Sequence, residues 1–187
     1  MSTKGSYHHG DLRRTLLDAA VTAITDAGPA GFSLRELARR AGVSHAAPVH
    51  HFGDKAGVLT ALATEGFDKL AETLAEAAER TGSFAEVGVA YVRFAIGHRA
   101  HFEVMFRPEL YRTDDPALTT ARERANEVLV SGVRSVRPEG VELGEIAAWS
   151  LVHGFATLWL SGALPADLGR DPESAARTIT GMLTKGL

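Results

Sequence analysis

His45, His50 and His51 stand close together in S-H-A-A-P-V-H-H-F, and Arg35, Arg39, Arg40 and Lys55 flank them. Imidazoles and cations at this density suit two chemistries, metal coordination or contact with an anion. The spacing argues against a metal. His50 and His51 are neighbours that point in different directions on a helix, and His45 to His50 misses the i, i+4 face. The chain has no cysteine, and no carboxylate completes a ligand set. Contact with phosphate or with a polar groove fits these residues better. Simple exposure of each histidine to solvent is the bland alternative.

Short helices must hold these side chains. Ser33 is placed to cap S-L-R-E-L-A-R-R-A, and Glu36 three residues on completes a capping box. The inner face of that helix is Leu34, Leu37, Ala38 and Ala41; the outer face is Arg35, Glu36, Arg39 and Arg40. Gly42 follows at a left-handed stop, Val43 is an apolar plug, and Ser44 caps a third helix running to about Phe52. Two short helices joined by a tight glycine turn, with small Ala38 allowing close approach, are a helix-turn-helix signature. In that motif the first helix bridges the phosphate backbone and the second lays side chains into the major groove. Pro48 removes an N–H near the start of the third helix, which predicts a tighter opening turn.

The rest of the chain reads as helix almost throughout. Asp11–Ala27 carries one apolar stripe, with Asp11 as its cap and Gly28–Gly31 as its stop, and Tyr7 to Gly10 preceding it. Asp54 caps a long helix over Lys55–Thr81. Helices are expected over Phe84–Gly97, His101–Phe106, from Asp114-Asp115-Pro116 to about Arg137, over Leu143–Gly162, and from Glu173. Pro138–Gly140 and Pro165–Pro172 separate the last three. The fold class is therefore all-α, with about nine helices: a three-helix helix-turn-helix head at 1–54 and a helical-bundle body at 55–187.

Composition bounds the function. The chain has 187 residues, 45% of them hydrophobic, and a formal net charge of −3. Residues 1–55 hold seven Lys/Arg against five Asp/Glu and five of the eight histidines, so the head is basic and the remainder acidic. A basic front end suggests an anionic partner. Without cysteine there is no disulfide framework or thiol nucleophile. The N-terminus has no apolar signal core, so a cytoplasmic location is expected. Ala147–Leu164 is apolar but barely reaches membrane-spanning length, and it carries His153, serines and glycines; a helix buried at a subunit interface fits it better.

Three stretches, Y-H-H-G-D-L-R-R-T-L-L-D-A-A, F-S-L-R-E-L-A-R-R-A-G-V-S and H-H-F-G-D-K-A-G-V-L, resemble the tetracycline-repressor (TetR-like) transcriptional regulators over about residues 7–70. Trp149, His153 and Gly154 resemble the W-H-G signature of one TetR-like C-terminal subgroup. The resemblance implies a DNA-binding head joined by a long helix to a ligand-binding, dimerising body. By position it places Arg35, His45, Ala46 and Val49 at base edges, and Ser33, Ser44, His50, His51 and Lys55 at phosphates. Arg35 suits guanine, His45 a purine acceptor, and Ala46 a thymine methyl. Lys55 at a helix start suits phosphate. Many relatives carry an aromatic residue where Val49 stands, so one implied phosphate contact is absent. Arg39 and Arg40 fit either the DNA backbone or a solvated face.

In the body, Phe67, Leu70, Tyr91, Phe94, His98, Phe102, Met105, Phe106, Trp149 and His153 are candidates to line a pocket for a small, mainly apolar ligand. The competing reading is a bundle core filled by its own side chains. Polar tips on Tyr91, His98 and His153 among apolar bodies favour the pocket. The last two helices are the candidates for a homodimer interface, with Ala147, Gly154, Ser161 and Gly162 permitting close approach. The expected mechanism is a homodimeric repressor on a palindromic double-stranded operator, released by its ligand through the long fourth helix. Neither a catalytic set nor a cofactor or metal motif assembles from the spacings. A small helical enzyme or ligand carrier without sequence-specific DNA binding is the alternative.

Overall fold

Capping side chains and left-handed glycines set most of the helix boundaries. The structure is a computed structural model that describes residues 7–136, 141–165 and 171–186. Among these residues the chain is all-helical: α1 (Tyr7–Ala27), α2 (Leu34–Ala41), α3 (Ala46–Phe52), α4 (Lys55–Thr81), α5 (Phe84–Gly97), α6 (Arg99–Met105), a 3-10 turn (Pro108–Leu110), α7 (Pro116–Val136), α8 (Val141–Leu160) and α9 (Pro172–Gly186). Pro138–Gly140 and residues 166–170 of the expected connector lie outside the described residues. No helix among the described residues is long and apolar enough to cross a membrane.

Two expected starts are corrected. α1 begins at Tyr7, so Tyr7 to Gly10 are helical and Asp11 lies inside the helix rather than capping it. α3 begins after Ser44: His45 is its N-cap residue, in helical backbone conformation and without a side-chain cap bond. The Ala47 N–H instead donates to the Ser44 carbonyl at 3.0 Å, the tight i→i+3 opening expected from Pro48. Pro48 is the third helical residue, where an N–H would lack an intrahelical acceptor in any case.

The chain separates into two compact units, one built on residues 1–66 and 100–119, the other on 67–99 and 120–187. The residues of the expected head fall in the first. There α2 contacts both α1 and α3. Leu16, Ala20, Leu37, Ala38, Val58 and Leu62 are fully buried, each leucine contributing roughly 1.5–3 kcal/mol of hydrophobic stabilisation. Ala38 has no exposed surface because its methyl lies where α2 is covered by its neighbours. Gly42, at φ 67°, ends α2 and lets the Val43 N–H bond back to Ala38 at 3.0 Å. Any other residue would be strained at that angle.

In the second unit α5 packs on both α8 and α9, and α8 on α9. Val89, Val92, Phe94, Ala95, Ala121 and Ala156 form its deepest layer. The α5–α9 approach depends on Gly88, because a Cβ there would lie 2.6 Å from Thr180 Cγ2. Exposed ion pairs, Arg93 with Glu173 at 2.6 Å and Arg177 with Glu86 at 2.7 Å, border the same helix pair. Such pairs add little stability beside the apolar contact.

Candidate nucleic-acid interface

The side chains around α2 and α3 divide into those turned outward and those engaged within the head. Ser33 accepts a hydrogen bond from the Glu36 N–H at 3.2 Å, the cap expected for α2. Glu36 turns its own carboxylate to Arg39 and Arg40, at 2.7 and 2.9 Å. These bonds hold its pKa down to about 2. Arg40 also reaches Asp26 at 2.6 Å, joining α2 to α1. Arg39 and Arg40 are therefore already paired with carboxylates, whereas Arg35 on the same helix is exposed.

On and before α3, Ser44, His45, Ala46, Val49 and His50 are exposed, and His51 is half-buried with its ring against Phe52. Val49 shows 51% of its surface. Pro48 and Phe52 turn inward and anchor the helix, and the Arg13 guanidinium sits 5.2 Å from the centre of the Phe52 ring. The outward side of α3 thus presents small, apolar and imidazole groups. That set can read base edges by shape, methyl contact and hydrogen bonding. Among the described residues no three or more His, Asp or Glu side chains converge as a metal would require.

Lys55, implied by its position to meet phosphate, is engaged within the chain. Its ammonium donates to the carbonyls of Ala30 and Phe32, both at 2.9 Å, and lies 4.6 Å from the centre of the Phe32 ring. Burial lowers its pKa. It clamps the start of α4 to the loop between α1 and α2. Asp54 caps α4 as expected, accepting from the Gly57 N–H at 2.8 Å.

Arg112, 58 residues away in sequence, bonds the other oxygen of Asp54 at 2.8 Å. The i, i+3 and i, i+4 spacing of Glu36 with Arg39 and Arg40 was a local signal that could have revealed their pairing. No local signal could have brought Arg112 to Asp54.

The pocket candidates fall into both units. In the second, Phe67, Leu70, Tyr91 and Phe94 are buried and His98 is half-buried against the Phe94 ring. Tyr91, Trp149 and His153 come together. The Tyr91 hydroxyl lies 2.9 Å from His153 Nδ1, and the Trp149 indole N–H donates to that hydroxyl at 3.3 Å. Burial pushes the Tyr91 pKa well up, so the phenol keeps its proton, and burial lowers that of His153. A neutral His153 can then accept from Tyr91 through Nδ1. Trp149 is 43% exposed, so its ring also reaches the outer surface of α8. In the first unit, Phe102 and Met105 are buried, and the half-buried Phe106 sits edge-on to Phe102 at 5.2 Å.

α8 and α9 carry an uncovered apolar surface. Leu143, Ile146 and Leu158 on α8 are exposed by 76%, 58% and 47%, and Met182 on α9 by 65%. With exposed Ala147 and half-buried Gly154, the α8 residues recur at the i, i+3, i+4 spacing of one helix face.

Comparison with known proteins bears on both units. A family model described as bacterial regulatory proteins, tetR family, matches residues 16–62. A second, tetracyclin repressor-like, C-terminal domain, matches residues 84–183. The chain is 30% identical over 166 residues to the HTH-type transcriptional regulator BetI of Escherichia coli (strain K12), covering 81% of this chain and 82% of that one. A solved structure of a protein with unknown function from Rhodococcus sp. RHA1 is 33% identical, with a TM-score of 0.81, covering 98% of this chain and 99% of that one. The TetR family transcriptional regulator PfmR from Thermus thermophilus shares the fold at 22% identity and a TM-score of 0.72, covering 92% of this chain and 98% of that one.

Proposed function

The chain belongs to the TetR family of bacterial regulatory proteins and is a transcriptional regulator with a helix-turn-helix DNA-binding domain, and from that premise we propose that it is a homodimeric, ligand-released repressor of a palindromic operator. The observation that carries the reading is the outward side of α3, where Val49 and His50 stand exposed beside His45, over a core anchored by Pro48 and Phe52. Residues 1–54 act as the head, with Arg35, His45, Ala46 and Val49 at base edges. Ser33, Ser44, His50 and His51 meet phosphates. Lys55 serves the head from within, as a clamp.

The exposed face of α8 with Met182 of α9 supplies the homodimer contact. A dimer is needed because one short head buries too little surface for useful specificity, while two heads spaced a DNA turn apart read a two-fold site. The body at 55–187 takes a small, mainly apolar ligand. Tyr91 and His153 orient it, and its binding is coupled reciprocally to that of DNA. The protein acts in the cytoplasm, where its operator is.

Selection of bound duplexes from random sequence tests this reading. The expected result is a two-fold site whose half-sites lie about one helical turn apart, or a multiple of it. Arg35→Ala should weaken binding to that site by roughly tenfold or more and relax preference at one base pair per half-site. No enrichment, or enrichment of sites without two-fold symmetry, would refute the proposal.

A further inference from the structure

We propose that Arg112 is a positioning residue for DNA binding, acting through a latch on the joint between α3 and α4; this rests on the regulator reading above. The joint is short. α3 ends at Gly53, with φ 77° and ψ −62°, a conformation open to glycine, and α4 begins two residues later. The presentation of α3 therefore depends on whatever holds residues 53–57 in place.

Arg112 holds them from outside the head sequence. Its Nη2 donates to Asp54 Oδ2 at 2.8 Å, while Asp54 Oδ1 caps α4 through the Gly57 N–H at 2.8 Å. One carboxylate thus serves both the helix cap and the latch. The guanidinium also occupies the space beside both glycines. A Cβ on Gly57 would lie 3.0 Å from Nη1, and one on Gly53 would lie 3.8 Å from Nη2.

The backbone behind the guanidinium is fixed in turn. The Arg112 N–H donates to Thr60 Oγ1 at 3.1 Å, and Thr60 is buried on α4. The neighbouring Tyr111 hydroxyl, also buried, donates to the Met105 carbonyl at the end of α6 at 2.7 Å. Residues 105–112 form a brace whose tip is the Asp54 bond. Arg112 is only half-exposed at that tip and needs no contact with DNA to act.

The test uses the full-length protein, a duplex selected by the wild type from random sequence, and a scrambled duplex of the same length. Arg112→Met removes the latch. Asp54→Asn keeps an oxygen to cap α4 while removing the charge that Arg112 meets. Each variant should lose about fivefold or more in affinity for the selected duplex and little for the scrambled one, with the salt slope unchanged. The double variant should be no worse than either single one, and Arg112→Lys should recover part of the loss.

Three results would overturn the proposal: affinities within twofold of wild type, equal losses on both duplexes with a shallower salt slope, which would make Arg112 a phosphate contact, or losses that multiply in the double variant. Should Arg112→Met fail to fold, Arg112→Gln takes its place in the single and double variants, and Asp54→Asn must still show its own loss of about fivefold or more. A wild type that selects no duplex would instead defeat the regulator reading itself.

Discussion

Both units have apolar cores, but the unit that carries α3 adds polar ties where its short helices join, whereas the unit that carries α8 and α9 shows several large apolar residues to the outside. In the first, Ser33 and Asp54 cap helices, Glu36 gathers two arginines, and Lys55 closes on two carbonyls. In the second, Gly88 lets α5 and α9 touch, while Leu143, Ile146, Leu158 and Met182 remain uncovered. The eight-residue α2 buries little by itself, so Ser33 satisfies its start, and apart from Val49 the outward groups of α2 and α3 are polar or small. On α8 one apolar face is left uncovered. The first surface suits a polyanion, the second a second copy of the chain.

The contrast is broken most severely by placing a charge on the apolar face. Ile146→Asp should leave the single chain folded, because the residue is 58% exposed. It should nevertheless convert the proposed dimer to monomer in light scattering. Loss of the second head should then lower affinity for the selected duplex about a hundredfold or more. A dimer that persists would remove α8 from the interface.

Glycines sharpen the comparison at the next level. Gly88→Ala places a methyl against the buried Thr180 and should cost about 1–3 kcal/mol, read as a lower melting temperature. Gly154→Ala meets nothing within 4 Å in its own chain. It should leave stability equal or higher at dilutions where the chain is monomeric, and weaken self-association. Unchanged self-association in Gly154→Ala would mean that Gly154 does not face a partner.

Lys55→Met asks whether the first unit depends on its internal clamp. Loss of two bonds from a charged donor should cost about 1–3 kcal/mol in denaturant unfolding. The salt slope of DNA binding should stay the same if the ammonium keeps its two carbonyl bonds on DNA. A slope shallower by about one would return Lys55 to the phosphate contacts.

The smallest effect is expected at His153. Burial lowers its pKa, so on acidification the unfolded chain takes up this proton first. Stability from the neutral ring is present above the ordinary histidine range and is lost as pH falls through it toward the lower folded value. The wild type should therefore lose more in melting temperature between about pH 7.5 and 5.5 than His153→Gln, whose amide can still accept from Tyr91. Identical losses would show that the Tyr91–His153 bond does not govern the response.

How far each region could be read in advance differs in the same way. The α2–Gly42–α3 unit was legible because caps, stops and apolar spacing act within four residues. The start of α1 is not legible locally, because Asp11 looks like a cap even where the helix continues through it. Ser44 is equally ambiguous, because a serine before a proline-containing helix can offer its carbonyl to a tight turn instead of its hydroxyl to a cap. The apolar character of α8 was plain from composition, but which of its residues stay uncovered was not. Exposure of Leu143 and burial of Val152 depend on where α5 and α9 lie.

The sequence by itself determined that the chain is all-helical, where most helices lie, and that a basic helix-turn-helix stands at its front, because these rest on contacts between near neighbours. Only the tertiary structure decided that Lys55 closes on Ala30 and Phe32, that Arg112 reaches Asp54, and that Tyr91 meets His153. Those partners are 25, 23, 58 and 62 residues apart. Bonds across such distances exist only once packing has brought their helices and loops together, and no local pattern encodes them.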